Sequence, residues 1–61
     1  MKYVSKLADI AACSNPKILY ESLEWARFMV NDNRLSQSSL GEKVWQTRAD
    51  AIVKRINEMV V

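Results

Sequence analysis

Apolar residues recur along this chain at intervals of three and four, the period of an α-helix, in three segments separated by short polar stretches. The first segment, Ser5 to about Ala12, gathers Tyr3, Val4, Leu7, Ala8, Ile10 and Ala11 on one side and leaves Lys6 and Asp9 on the other. It is short, so it requires tertiary support. The second begins at Ser14-Asn15-Pro16. Asn15 suits the N-cap, where its side chain accepts an orphan amide hydrogen bond, and Pro16 suits the first helical position, which needs no donor. This helix is expected to run to about Val30. Residues placed about 100° apart bring Ile18, Leu19, Ser22, Leu23, Trp25, Ala26, Met29 and Val30 onto one broad face, wide enough to touch two neighbouring helices.

Asn31 to Ser38 are polar turn formers apart from Leu35 and read as the connection to the third helix. Ser39-Leu40-Gly41-Glu42 fits a capping box, with the Ser39 hydroxyl on the amide of Glu42 and the Glu42 carboxylate on the amide of Ser39. Beyond it Trp45, Ala49, Ile52, Ile56 and Met59 repeat at spacings of 4, 3, 4 and 3, flanked by Val53 and Val60. This narrow, heptad-like seam predicts a helix of about 20 residues, roughly 30 Å long, that outreaches the other two. The expected fold is all-α, one domain over residues 1–61: a short first helix across the second, with the long C-terminal helix closing the core.

Composition sharpens this picture. At 61 residues the core is small, and chains of this size commonly lean on disulfides, metal or self-association. One cysteine and no histidine leave no intrachain disulfide and no soft zinc ligand set. A homodimer is therefore expected, burying the surplus apolar surface of Trp45, Ile52, Val53, Ile56, Met59 and Val60. The same inventory lacks a histidine base, a Cys/His or Ser/His pair and a glycine-rich phosphate loop, which argues against an enzyme and against a cofactor. Nine Lys+Arg against seven Asp+Glu give a net charge of +2, spread evenly, with no polycationic tail. No apolar run approaches the length of a membrane span or a signal segment, and the unpaired Cys13 suits a reducing compartment, so a cytoplasmic protein is expected.

The stretch Leu7 to Ile18 resembles the helix-turn-helix pattern of small bacterial and phage regulators. The matching positions are Leu7, Ala8 and Ala11 in the first helix, Cys13 in the turn, Ser14 as cap and Ile18 as the first buried position after it. Ala12 stands where the family usually has glycine, and Glu21 where it usually buries an apolar residue. The resemblance implies a close crossing of the first two helices over Ala8. It also implies a DNA-reading surface at Asn15, Lys17, Tyr20 and Glu21, although Glu21 and Glu24 on that face would repel a polyanion. The alternative is that the helix pair is scaffold alone. In general style the chain also resembles small early-region proteins of temperate phages.

Two outward features remain. Tyr20, Glu24 and Phe28 fall at i, i+4 and i+8, opposite the core face of the second helix, as an aromatic pair within a charged rim. They are the first choice for a protein partner, the alternative for Phe28 being that it folds under the following loop onto Leu35. Arg48 and Arg55 share one edge of the third helix, beside Val44 and Ala51, with Lys43 and Lys54 on another flank. They could meet DNA or an acidic partner, or be a solvated flank with an Asp50 to Lys54 pair. Trp25 and Trp45 are expected in the core. The functional expectation is a small non-enzymatic regulator that binds a protein partner, with a DNA-binding transcriptional regulator as the alternative.

Overall fold

The structure, a computed structural model, describes residues 3–59. Three helices account for it: α1 (Leu7–Ala12), α2 (Pro16–Leu35) and α3 (Ser39–Met59), with no strand among the described residues. Val60, expected to flank the seam of α3, lies outside the described residues. α2 and α3 form an antiparallel hairpin, and α1 lies chiefly against α3, touching α2 little. That departs from the expected crossing of α1 over α2. Ala8, the small residue on which a close crossing would depend, faces solvent, and Leu7 and Ala11 are also exposed.

Each helix boundary has a local cause. The Asn15 side chain accepts the amide of Lys17 at 3.0 Å with Pro16 at the first helical position, as its sequence predicts. The other end of α2 lies five residues beyond the expected Val30, so Asn31 to Leu35 are helical. Asn and Asp cost a helix only about 0.7 kcal/mol each relative to Ala, which packing and local bonds can outweigh. Here the Asn33 side-chain amide donates to the Met29 carbonyl at 2.7 Å, and Arg34 reaches Glu42 at the start of α3 at 2.9 Å. The helix stops at a Schellman turn. The Ser38 amide bonds the Asn33 carbonyl at 2.8 Å and the Gln37 amide the Arg34 carbonyl at 3.1 Å, with Gln37 at φ 61° in the left-handed region.

The start of α3 lies one residue earlier than the expected capping box. Ser38, not Ser39, is the cap: its carbonyl takes the amide of Glu42 at 2.9 Å and its hydroxyl the amide of Gly41 at 3.3 Å. Glu42 is thereby shifted past the box position, and its carboxylate pairs with Arg34. Gly41 is needed for space. A Cβ there would meet the side-chain amide of Asn33 and would lie 2.9 Å from the Ser38 hydroxyl. The two termini could not close this tightly around a larger residue.

The core runs along the inside of the hairpin and under α1: Ile10, Leu19, Leu23, Ala26, Ala49, Ile52 and Ile56, with Val4, Cys13, Trp45, Val53 and Met59 packed at its edge. Leu19 and Ile52 are 0% and 1% exposed. This corrects the use expected of the α3 seam. Ile52 and Ile56 are covered by the same chain and offer nothing to a second copy, while Trp45 and Met59 border that core. α3 does not outreach its neighbour either, because α2 with 20 residues matches its 21.

Two long-range hydrogen bonds hold the N-terminal part. The Val4 amide donates to the Ser22 hydroxyl at 2.9 Å, which satisfies the one polar side chain buried on the core face of α2. Arg55 Nε donates to the Cys13 carbonyl at 2.9 Å, tying α3 to the α1–α2 connection. Both compensate for a six-residue helix without a side-chain cap.

Relief of the left-handed residue by Gln37→Gly is expected to raise stability by about 1 kcal/mol in urea unfolding, since non-glycine residues carry a penalty of that order there. Gly41→Ala is expected to lower it by at least about 1 kcal/mol through the clash with Asn33 and Ser38.

Candidate partner-binding surface

The outer side of α2 carries Tyr20, Glu24 and Phe28 in one line. Its core side is already filled by Leu19, Ser22, Leu23, Ala26 and Val30, so the helix cannot turn these aromatics inward. Tyr20 is 53% and Phe28 62% exposed. Phe28 does not fold under a loop. Because α2 continues through Leu35, that leucine is carried up the outer side of the helix and is itself 75% exposed. The line therefore reads Tyr20, Glu24, Phe28, Leu35, spanning 16 residues or about 22 Å of helix. Lys17 is exposed one turn before Tyr20, and neither Lys17 nor Glu24 forms an ion pair among the described residues.

The other candidate residues are drawn into local work. The Asn15 carbonyl oxygen is spent on capping α2, which leaves it poorly placed to read a base edge. Arg55 is mostly covered; besides its bond to the Cys13 carbonyl it lies 3.6 Å from Glu58. Arg48 stacks its guanidinium over the ring of Trp45 at 4.7 Å. The expected Asp50 to Lys54 pair is replaced by a hydrogen bond from the Gln46 amide to Asp50 at 3.0 Å. Glu21 is half-buried, unlike exposed Glu24, and one of its carboxylate oxygens is screened from solvent with no hydrogen-bond partner among the described residues.

An aromatic chain that the periodicity does not reveal runs along one side of the hairpin. Tyr3 stacks on Trp25 at 5.3 Å between ring centres, Trp25 meets Trp45 edge-on at 5.0 Å, and Arg48 caps the series. Trp45 is half-buried against the core, as expected of it. Trp25 departs from its expected core position: it lies at the rim, 36% exposed, covered on one face by Tyr3. Tyr3 reaches it because the bond from the Val4 amide to the Ser22 hydroxyl pins the segment before α1 against α2. The legible signal was Ser22, a lone hydroxyl in the middle of an apolar face, which had to find a partner from outside α2.

Between α2 and α3 lies a groove of about 270 Å³ with Arg27, Asn31, Arg34, Gln46 and Asp50 at its walls. Its charges are mixed and it holds no nucleophile with an adjacent base. Among the described residues no three His, Cys, Asp or Glu side chains group as a metal site, and no helix is long and apolar enough to cross a membrane.

Phe28→Ala is expected to change unfolding free energy by no more than about 0.5 kcal/mol, as for other exposed positions. Arg55→Ala, which removes a charged donor from the Cys13 carbonyl, is expected to cost about 1–2 kcal/mol. Urea titration of the two variants beside the parent chain shows whether Phe28 is dispensable for folding where Arg55 is not. Comparison with protein-family models, with curated proteins and with solved structures gives no match, so the surface itself carries the functional argument.

Proposed function

We propose that this chain is a small non-enzymatic regulatory protein that acts by binding a protein partner through the outer ridge of α2. The observation that carries the reading is the alignment of Tyr20, Phe28 and Leu35, each more than half exposed, on a helix whose opposite side is fully used by the core. Large apolar side chains in a line, with Lys17 and Glu24 at their edges, have the anatomy of an interface: an apolar centre, rich in aromatics, and a polar rim. Tyr and Phe also contribute much contact area for little loss of side-chain freedom. The style resemblance to early-region phage proteins fits a regulator of this kind, whose whole activity is occupancy of another protein's surface.

Self-association belongs to the same ridge. With Ile52 and Ile56 closed inside one chain, a homodimer would bring together the Tyr20–Leu35 line of two copies, as an isologous contact along α2.

The test is recovery of partners on the immobilised chain, compared with Tyr20→Ala and Phe28→Asp variants whose helical circular dichroism matches the parent. Loss of the same recovered protein with both substitutions, at least tenfold in apparent affinity, is the expected result. Sedimentation of the same variants reports whether the partner is a second copy. Binding of duplex DNA that falls steeply with salt and disappears in Lys17→Glu with Arg48→Glu would overturn the reading in favour of a DNA-binding regulator.

A further inference from the structure

A second surface, on a different pair of helices, has its own chemistry. α1 and the outward side of α3 enclose two shallow depressions that share Leu7 as the ridge between them. The upper one, about 430 Å³, is bounded by Lys6, Val44, Thr47 and Arg48; the lower, about 220 Å³, by Ala51, Lys54, Arg55 and Glu58. Their floors are apolar and open. Leu7 is 54% and Val44 41% exposed, and Leu40, one turn before Val44, is 75% exposed. Four cations stand around them against one carboxylate, Glu58, which already lies 3.6 Å from Arg55. Asp9, the acidic residue of α1, falls roughly 160° round the helix from Leu7 and Ala11, away from the groove. Among the described residues the local balance is thus +3.

We infer that the α1/α3 groove is a docking site for an acidic amphipathic helix of a partner protein, with two apolar side chains about two turns apart entering the depressions on either side of Leu7. The spacing follows from α3: Val44 and Ala51 are seven residues apart, about 10.5 Å, which matches apolar side chains at i and i+7 of an incoming helix. The occupant is a helix rather than an extended segment because the walls are helical. Their backbone groups are bonded internally, so a strand would find no edge to pair with and would bury its own amides unsatisfied, whereas a helix arrives with its bonds made. Its flanks are acidic because Lys6, Arg48 and Lys54 stand around the depressions, Arg55 being engaged by the Cys13 carbonyl and Glu58. Arg48, held over the Trp45 ring at 4.7 Å, is partly ordered before a carboxylate arrives and so loses less side-chain freedom on pairing than a free arginine. Nucleic acid fits less well, since four charges give little counterion release and the apolar floor contributes nothing to a phosphate backbone.

The probe is a fluorescein-labelled helical peptide of about 18 residues, with Leu at i, i+3, i+4 and i+7 and Glu along both flanks, titrated with the whole chain and read by anisotropy. The expected result is saturable binding that weakens from low salt to about 0.5 M salt. The same peptide with Lys in place of Glu should bind at least tenfold more weakly. Val44→Asp and Lys54→Glu, both at exposed positions, should each weaken the acidic peptide at least fivefold with helical circular dichroism retained, and Arg48→Glu at least tenfold. Tyr20→Ala should leave it unchanged, which keeps this groove distinguishable from the α2 ridge. Absence of binding by the acidic peptide, equal binding of both peptides, insensitivity to Arg48→Glu and Lys54→Glu, or displacement of the peptide by a short DNA duplex would each overturn the inference.

Discussion

The antiparallel pairing of α2 with α3 is the constraint on which the remaining features rest. Two helices of 20 and 21 residues lie side by side, joined by three residues, and enclose Leu19, Leu23, Ala26, Ala49, Ile52 and Ile56 between them and α1. Matched length is what makes this possible. α3 runs alongside α2, and of the apolar seam expected to be surplus Ile52 and Ile56 are buried within the chain while Trp45, Val53 and Met59 border the core. The tight reversal has its own requirements: a left-handed Gln37, a cap at Ser38 and the absence of a side chain at Gly41. Failure of any of them would displace the ends of both helices and with them the pairing.

α1 depends on that hairpin and not the reverse. Six residues make too few internal hydrogen bonds to hold a helix in water, so its position comes from Ile10 in the core, Val4 on Ser22 and the Cys13 carbonyl on Arg55. The placement has two consequences for the surface. It brings Tyr3 over Trp25, which shields an indole that α2 alone would leave open. It also sets Leu7 and Lys6 opposite Val44 and Arg48, creating a groove that neither helix has by itself.

Function at such a surface is a matter of what is left uncovered. On α2 the core takes one side and the opposite side keeps Tyr20, Phe28 and Leu35. On α3 the core takes the Ile52 side and the adjoining flank keeps Leu40 and Val44 among cations. These two exposed regions differ in character, one aromatic with a mixed rim and the other aliphatic with a basic rim.

Helical class, three segments, the Asn15–Pro16 start and nearly all of the core residues follow from the sequence by itself, because a 3.6-residue period and a cap are local properties that survive in almost any packing. The outward position of Tyr20 and Phe28 follows as well, since an angle on one helix is fixed by spacing alone. Only the tertiary structure decided what each helix packs against. The Asn31 to Leu35 segment has weak intrinsic helix preference; it is helical here, with Asn33 bonded to Met29 within α2 and Arg34 to Glu42 of α3, and this places Leu35 on the ridge and the α3 cap at Ser38. The α3 seam is equally apt to face a second chain or its own hairpin partner. Periodicity gives the direction of a stripe but not its occupant, and the structure resolves the matter by packing Ile52 and Ile56 into one cluster with Leu19 and Leu23 of α2 and Ile10 of α1.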